Sequence, residues 1–183
     1  MRIAIAGASG TGKTTLAQAI AERYSLPINP VGARSVAKSM GFDNPYEVDQ
    51  AGRRVEFQRR LFEEKRRWEL EHEAFVTDRT YLDNLTYCAL HMAEHLEDKA
   101  VEEFTAAMSR YDIAFFLPRS AFQSLDDGIR KTSAAYHEIY EHLLNSLRWG
   151  ATCLTQSVPA SIGNRRASVL QHIDQHVRQG HFQ

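Results

Sequence analysis

Apolar residues fall into two rhythms along this chain. Short, nearly unbroken apolar runs occupy residues 2–6 (RIAIA), 74–77 (AFVT), 113–117 (IAFFL) and 151–155 (ATCLT), with a weaker one at 26–30. Runs of this length, bounded by glycine, proline or charge, predict buried strands. Pro118 stops the third run, because proline has no N–H to give to a ladder. Between the runs the period lengthens. Residues 14–24 place Leu16, Ala17, Ala19, Ile20 and Tyr24 at helical spacing. Further helices are predicted over 33–40, 46–73, 81–95, 98–110, 133–149 and 164–177, with Gly150 in a C-terminal capping role. The stretch 46–73 reads as one long charged helix, with Val55, Phe57, Leu61, Phe62 and Trp68 set among Arg and Glu. Strands alternating with helices imply a parallel sheet covered on both faces, hence a doubly wound α/β three-layer sandwich. No linker composition divides residues 1–183, so one domain is expected.

Composition narrows the picture. A net charge of −1 over 183 residues gives no broad basic surface for nucleic acid, though a local basic groove remains open. Two cysteines, Cys88 and Cys153, make no disulfide framework and suit a reducing compartment. The apolar start MRIAIAG is too short for a signal peptide, and no run approaches transmembrane length. A cytoplasmic protein, without a membrane partner, is the expectation.

The chemistry begins directly after the first strand. Residues 7–14 read G-A-S-G-T-G-K-T, a full match to G-x-x-x-x-G-K-[ST], with a predicted strand before and a helix after. Gly7, Gly10 and Gly12 let the backbone turn so that successive N–H groups face phosphate oxygens. The helix starting near Lys13 adds its positive end. Lys13 is expected to reach the β- and γ-phosphates of ATP, and the Thr14 hydroxyl to ligate Mg²⁺. Gly7, Ser9, Gly10, Thr11, Gly12, Lys13, Thr14 and Thr15 form the expected nucleotide-binding set. A GTPase would need N-K-x-D to read its base, and the chain has none.

The predicted strand at 74–77 ends in Asp78-Arg79, within FVTDRTYLDN, and LDDGIRKT follows at 125–132. The order of P-loop, strand-end Asp-Arg and Asp-Gly-x-Arg resembles the nucleoside and nucleoside-monophosphate kinases of the P-loop superfamily. TDRTYLDNLTYCAL with DDGIR is closest to the ribosylnicotinamide-kinase-like branch, which includes bacteriophage proteins labelled as ATPases. The resemblance runs from Arg2 to Leu147. It implies a P-loop kinase fold with a five-stranded parallel sheet and a lid, here about residues 119–133. It also implies that Asp78 bonds a Mg²⁺ water or accepts the acceptor hydroxyl's proton, and that Arg79 holds acceptor or transferred phosphate. Arg130 in the lid would reach the ATP phosphates, and Arg165 or Arg166 would lie against the adenine.

The acceptor is expected between residues 31–73 and Asp78, with Arg34, Arg53, Arg54, Gln58 and Asp83 as candidates to hold it. Asp83 lies one helical turn beyond Arg79 and alternatively only orients it. Arg53, Arg60 and Arg67 fall seven apart in one basic stripe, which reads first as a solvated face laced by the i,i+4 pairs Glu56–Arg60 and Glu63–Arg67. His91-Met-Ala-Glu-His95 matches the metallopeptidase pattern H-x-x-E-H, but no third ligand is evident. The sequence therefore points to a kinase acting on a nucleoside- or nucleotide-like acceptor. A phage-type kinase acting on a hydroxymethylated pyrimidine in DNA, and an ATPase or nucleotide switch without an acceptor, stay open, as does monomer against homodimer.

Overall fold

In a computed structural model, residues 1–119, 133–158 and 162–180 are described. Four parallel strands, β1 (Arg2–Ala6), β2 (Phe75–Asp78), β3 (Ile113–Phe116) and β4 (Leu154–Ser157), form one sheet in the order β2-β1-β3-β4. Among the described residues the expected five-stranded sheet has four strands. The 26–30 segment contributes only one parallel bridge, Ile28 to Val76. It still exchanges two bonds with β2, Val76 N–H to Pro27 O and Asn29 N–H to Val76 O. Pro27 and Pro30 flank those contacts and cannot donate, so a ladder does not extend. The last strand also starts three residues later than the apolar run suggests.

Side chains alternate across β1 and β3. Ile3, Ile5, Ile113 and Phe115 pack against α1 (Lys13–Tyr24) and α8 (Ile162–Arg178), with Leu16, Ile20, Val169 and Ile173. Ala4, Ala6, Ala114 and Phe116 face the other side, where Phe62, Tyr81, Leu85, Phe104, Tyr140 and Leu144 close the second core. Small alanines on that face leave room for the large aromatic rings. The helices of that side are α4 (Arg54–Leu70), α5 (Tyr81–His91), α6 (Asp98–Ala107) and α7 (Ala134–Arg148). A separate small core of Val36, Ala37, Val48, Phe57 and Leu61 joins α4 to α2 (Ala33–Ser39) and α3 (Pro45–Gln50).

The expected single helix over 46–73 is two. Asn44 caps α3 by accepting from Tyr46 and Glu47 N–H, and Pro45 sits at its first turn. Gly52, at φ +69°, then breaks the path before α4 starts at Arg54. No helix among the described residues is long and apolar enough to cross a membrane.

Candidate active site

Strand β1 runs straight into the phosphate loop at the carboxyl edge of the sheet. Gly7, Gly10 and Gly12 all have positive φ, at +144°, +76° and +85°. A Cβ on Gly7 would lie 2.6 Å from the Leu117 carbonyl oxygen, so this glycine is also required by close packing. Helix α1 opens on Gly12 with no side-chain cap, so its first-turn N–H groups face the loop. Lys13 is buried. Its ammonium donates to Ala8 O at 2.6 Å and approaches Thr11 Oγ1 at 3.5 Å, while Thr11 Oγ1 itself donates to Ala8 O. Ser9 is half-buried, and Gly10, Thr14 and Thr15 are exposed on the rim.

Asp78 ends β2 opposite Ile5 of β1, which sets it beside the loop. Thr14 Oγ1 donates to Asp78 Oδ2 at 2.5 Å. The other carboxylate oxygen, Oδ1, is buried and has no hydrogen-bond partner among the described residues. A buried carboxylate oxygen left unpaired is costly, and a hydroxyl beside it completes a set of hard oxygen donors. Arg79 follows with φ +79°, a left-handed conformation that a residue with a Cβ rarely adopts. Its N–H is tied to Ile5 O at 2.8 Å. Its guanidinium spans Ser9 Oγ (3.2 Å), Tyr140 Oη (3.3 Å) and Asp83 Oδ1 (3.4 Å). Burial by itself would lower the Arg79 pKa; Tyr140, Asp83 and Asp78 outweigh that and raise it. Burial, and then Asp83, push the Tyr140 phenol well above its ordinary value.

Asp83 faces inward. Its Oδ2 accepts from Thr80 N and Oγ1, both at 2.8 Å, in a capping box that starts α5. Its Oδ1 accepts from Gly7 N at 3.1 Å. The carboxylate thus joins the phosphate loop to α5 and Arg79 and has no oxygen left over for an acceptor.

The remaining expected residues divide clearly. Arg165 is buried and donates to Thr11 O (2.8 Å) and Pro118 O (2.6 Å), so it props the loop backbone, and burial lowers its pKa. Arg166 is exposed on α8 and Arg34 on α2. Arg53 is exposed and grips Glu56 through Nε and Nη2 at 2.9 and 2.8 Å. Arg54 grips Asp49 in the same way and donates to His91 O at 3.0 Å, tying α3 and α4 to α5. Gln58 is buried on α4, and its Oε1 has no partner among the described residues. Arg130, like residues 120–132 as a whole, lies outside the described residues. His91 Nε2 meets Tyr136 Oη at 2.8 Å, a contact between α5 and α7.

Two features were missed at the level of sequence. Lys65 and Glu69 look like part of a solvated charged face, yet both are buried, 3.2 Å apart. Lys65 Nζ donates to Thr77 Oγ1, immediately before Asp78. Glu69 accepts from Tyr81 Oη (2.7 Å), Asn29 Nδ2 (3.2 Å) and Tyr111 Oη (3.3 Å). The signal was available, since residues 58, 62, 65 and 69 share one helical face with Phe62 in it. Tyr140 was the second omission, and a lone tyrosine 61 positions from Arg79 leaves no local trace.

A family model described as AAA domain matches residues 2–161. No curated protein sequence matches the chain significantly. Solved structures similar in fold include deoxyadenosine kinase from M. mycoides with bound dCTP, at 17% identity and TM-score 0.68, covering 96% of this chain and 100% of that one. Shikimate kinase from Acinetobacter baumannii in complex with shikimate aligns at 16% identity and TM-score 0.61, over 98% and 93% of the two chains. NadR protein in complex with NR aligns at 20% identity and TM-score 0.62, over 95% of this chain and 50% of that one. The family match covers most of the chain, and the phosphate loop with its strand-end Asp-Arg accords with it: the chain belongs to the AAA domain family and has the three-layer fold of the P-loop kinases.

Proposed function

We propose that the protein is a kinase that moves the γ-phosphoryl group of ATP onto a hydroxyl or phosphate oxygen of a nucleoside- or nucleotide-like acceptor. One observation carries this reading. The unpaired Asp78 Oδ1 and the Arg79 guanidinium sit side by side at one strand end, against Thr14 and Ser9 of the phosphate loop. A hydrolase would turn the same two groups on water, a difference that the transfer assay below reads directly. A kinase needs both, because an incoming hydroxyl must be oriented while charge on the transferring group is neutralised.

The residues then divide the work. The loop N–H groups and Lys13 hold the β- and γ-phosphates, which requires the ammonium to leave Ala8 O for a phosphate oxygen. Thr14 Oγ1 and an Asp78 oxygen are the donors that would hold Mg²⁺, whose charge screens the phosphates for attack. Asp78 orients the acceptor O–H. As the acceptor oxygen bonds to Pγ, the bond from Pγ to the β,γ-bridging oxygen breaks, its electrons leave on ADP, and Asp78 takes the proton. For a phosphate acceptor no proton moves, and Asp78 serves the metal alone. Arg79 neutralises the transferring group, and Arg130 is assigned the same task from the lid.

On the acceptor side, the buried Gln58 Oε1, without a partner among the described residues, is the group assigned to recognise a donor on the acceptor's ring. Arg34 on α2 and Arg166 on α8 are exposed cations. Arg53 and Arg54 are spoken for by Glu56 and Asp49, which weakens the case for a basic groove that would track DNA.

The test is transfer of labelled γ-phosphate over a panel of nucleosides, nucleoside monophosphates, nicotinamide riboside and hydroxymethyluracil-containing DNA. Label on a small acceptor is the expected result. Label on the DNA alone would replace the small-acceptor reading. ATP hydrolysis unchanged by every acceptor would sink the kinase reading in favour of a nucleotide switch.

A further inference from the structure

A guanidinium offers five N–H donors on two usable edges. In Arg79 the Nη1 group is taken by protein, donating to Tyr140 Oη and to Asp83 Oδ1. Nη2 meets only Ser9 Oγ of the phosphate loop, and Nε has no protein acceptor among the described residues. The edge left open is therefore Nε with Nη2. Elsewhere in this chain that same edge grips carboxylates in fork fashion, in Arg53 with Glu56 and Arg54 with Asp49. It is the edge that matches two oxygens of a phosphoryl group.

What turns that edge toward the loop is Tyr140. Its hydroxyl has a single proton, which goes to Asp83, whose Oδ1 lies at 3.1 Å and whose carbonyl oxygen lies at 3.2 Å. The hydroxyl's lone pair then faces Arg79 Nη1. Asp83 Oδ1 also holds Gly7 N–H, so the loop and the arginine are both referenced to one carboxylate. Tyr140 itself is buried in the core of α7, so its ring cannot swing away.

We infer that Tyr140 is a positioning residue: with Asp83 it occupies the Nη1 side of Arg79 and so aims the Nε/Nη2 edge across the phosphate loop for two-point contact with the transferring phosphoryl group. This rests on the reading of Arg79 as a phosphate ligand. The test uses two probes on the whole protein, Mg²⁺–ADP alone and Mg²⁺–ADP with aluminium fluoride, a mimic of the transferring phosphoryl group. Calorimetric titration of Tyr140→Phe should show affinity for the aluminium fluoride complex at least tenfold weaker, with ADP alone changed less than twofold. Arg79→Lys should give the same selective loss, and adding Tyr140→Phe to it should cost nothing more. Should Tyr140→Phe not fold, Asp83→Asn removes the charged partner of the same Nη1 group and provides the comparison. Equal affinities in variant and wild type overturn the inference. So does an equal loss on both probes, which would mark Tyr140 as structural only. A wild type that binds the fluoride complex no tighter than ADP also overturns it. No acceptor enters this measurement, so a failed transfer screen removes the kinase reading and leaves this result to stand or fall separately.

Discussion

Asp78 has two oxygens in different situations, and its role depends on that difference. Oδ2 is tied to Thr14, while Oδ1 is buried and unpaired beside the loop. Asp78→Asn keeps the shape and removes the charge. Phosphoryl transfer should fall by about 10²–10⁴-fold, the range for loss of a positioned acid–base group, while ATP affinity stays within a few-fold. Steady-state kinetics beside equilibrium ATP binding separate the two, and near-normal turnover would remove Asp78 from the chemistry. Gly7 is a sharper case. Gly7→Ala places a methyl 2.6 Å from Leu117 O at a φ of +144°. Strain of about 1–3 kcal/mol for the backbone alone is expected, with weaker nucleotide binding and a lower melting temperature. Both residues were legible in the sequence, because a phosphate loop and a strand end are local patterns. Tyr140 and Arg165 were not legible in those roles. Their partners lie far off in the chain, and only the closed sheet brings them together.

Among the elements, α4 shows most plainly where pattern reading stops. Arg53, Arg60 and Arg67 read either as a basic stripe or as a solvated face; Arg53, just before the helix, pairs with Glu56, and Arg59, off that stripe, pairs with Glu63. Such exposed pairs contribute little, about 0–1 kcal/mol. The consequential pair is Lys65–Glu69, hidden behind β2. Lys65→Met would strand the Glu69 carboxylate among Tyr81, Tyr111 and Asn29. A loss of about 3–5 kcal/mol is expected from an uncompensated buried charge, read by urea unfolding. Lys65→Met combined with Glu69→Gln should recover part of it, since the amide oxygen still accepts while the charge is gone. The strands were read well because β1 and β3 are short unbroken apolar runs, buried on both faces. The break at residues 51–53 was missed because Gly52 lies between two stretches of equally good helical spacing.

For the whole molecule, the strand order β2-β1-β3-β4 is visible only in the fold, whereas the parallel sheet and both covering layers followed from alternating strand and helix signals. The fifth strand did not, since Pro27 and Pro30 leave that segment with a single bridge. Stability against pH is a property at this scale. Burial, followed by Arg54, lowers the pKa of His91, and burial, followed by His176, lowers that of His172, each from an ordinary value of 6.5. In the unfolded chain both bind protons more readily than in the fold. Their contribution is therefore complete above about pH 6.5 and is lost as pH falls toward the folded pKa values. The melting temperature should decline from pH 7 to pH 5, and His91→Gln combined with His172→Gln should flatten that slope. An unchanged slope would assign acid sensitivity to other groups.

The bond from Arg165 to Thr11 O has a consequence in time. The phosphate loop is synthesised 154 residues before the side chain that props it. A nascent chain lacking α8 would carry the complete G-x-x-x-x-G-K-T motif with two loop carbonyls, Thr11 and Pro118, missing their donor. Nucleotide capture should therefore lag behind translation of the motif, and arrested chains ending before residue 162 should bind ATP more weakly than chains that include Arg165. The motif is written well before the residue that makes it competent.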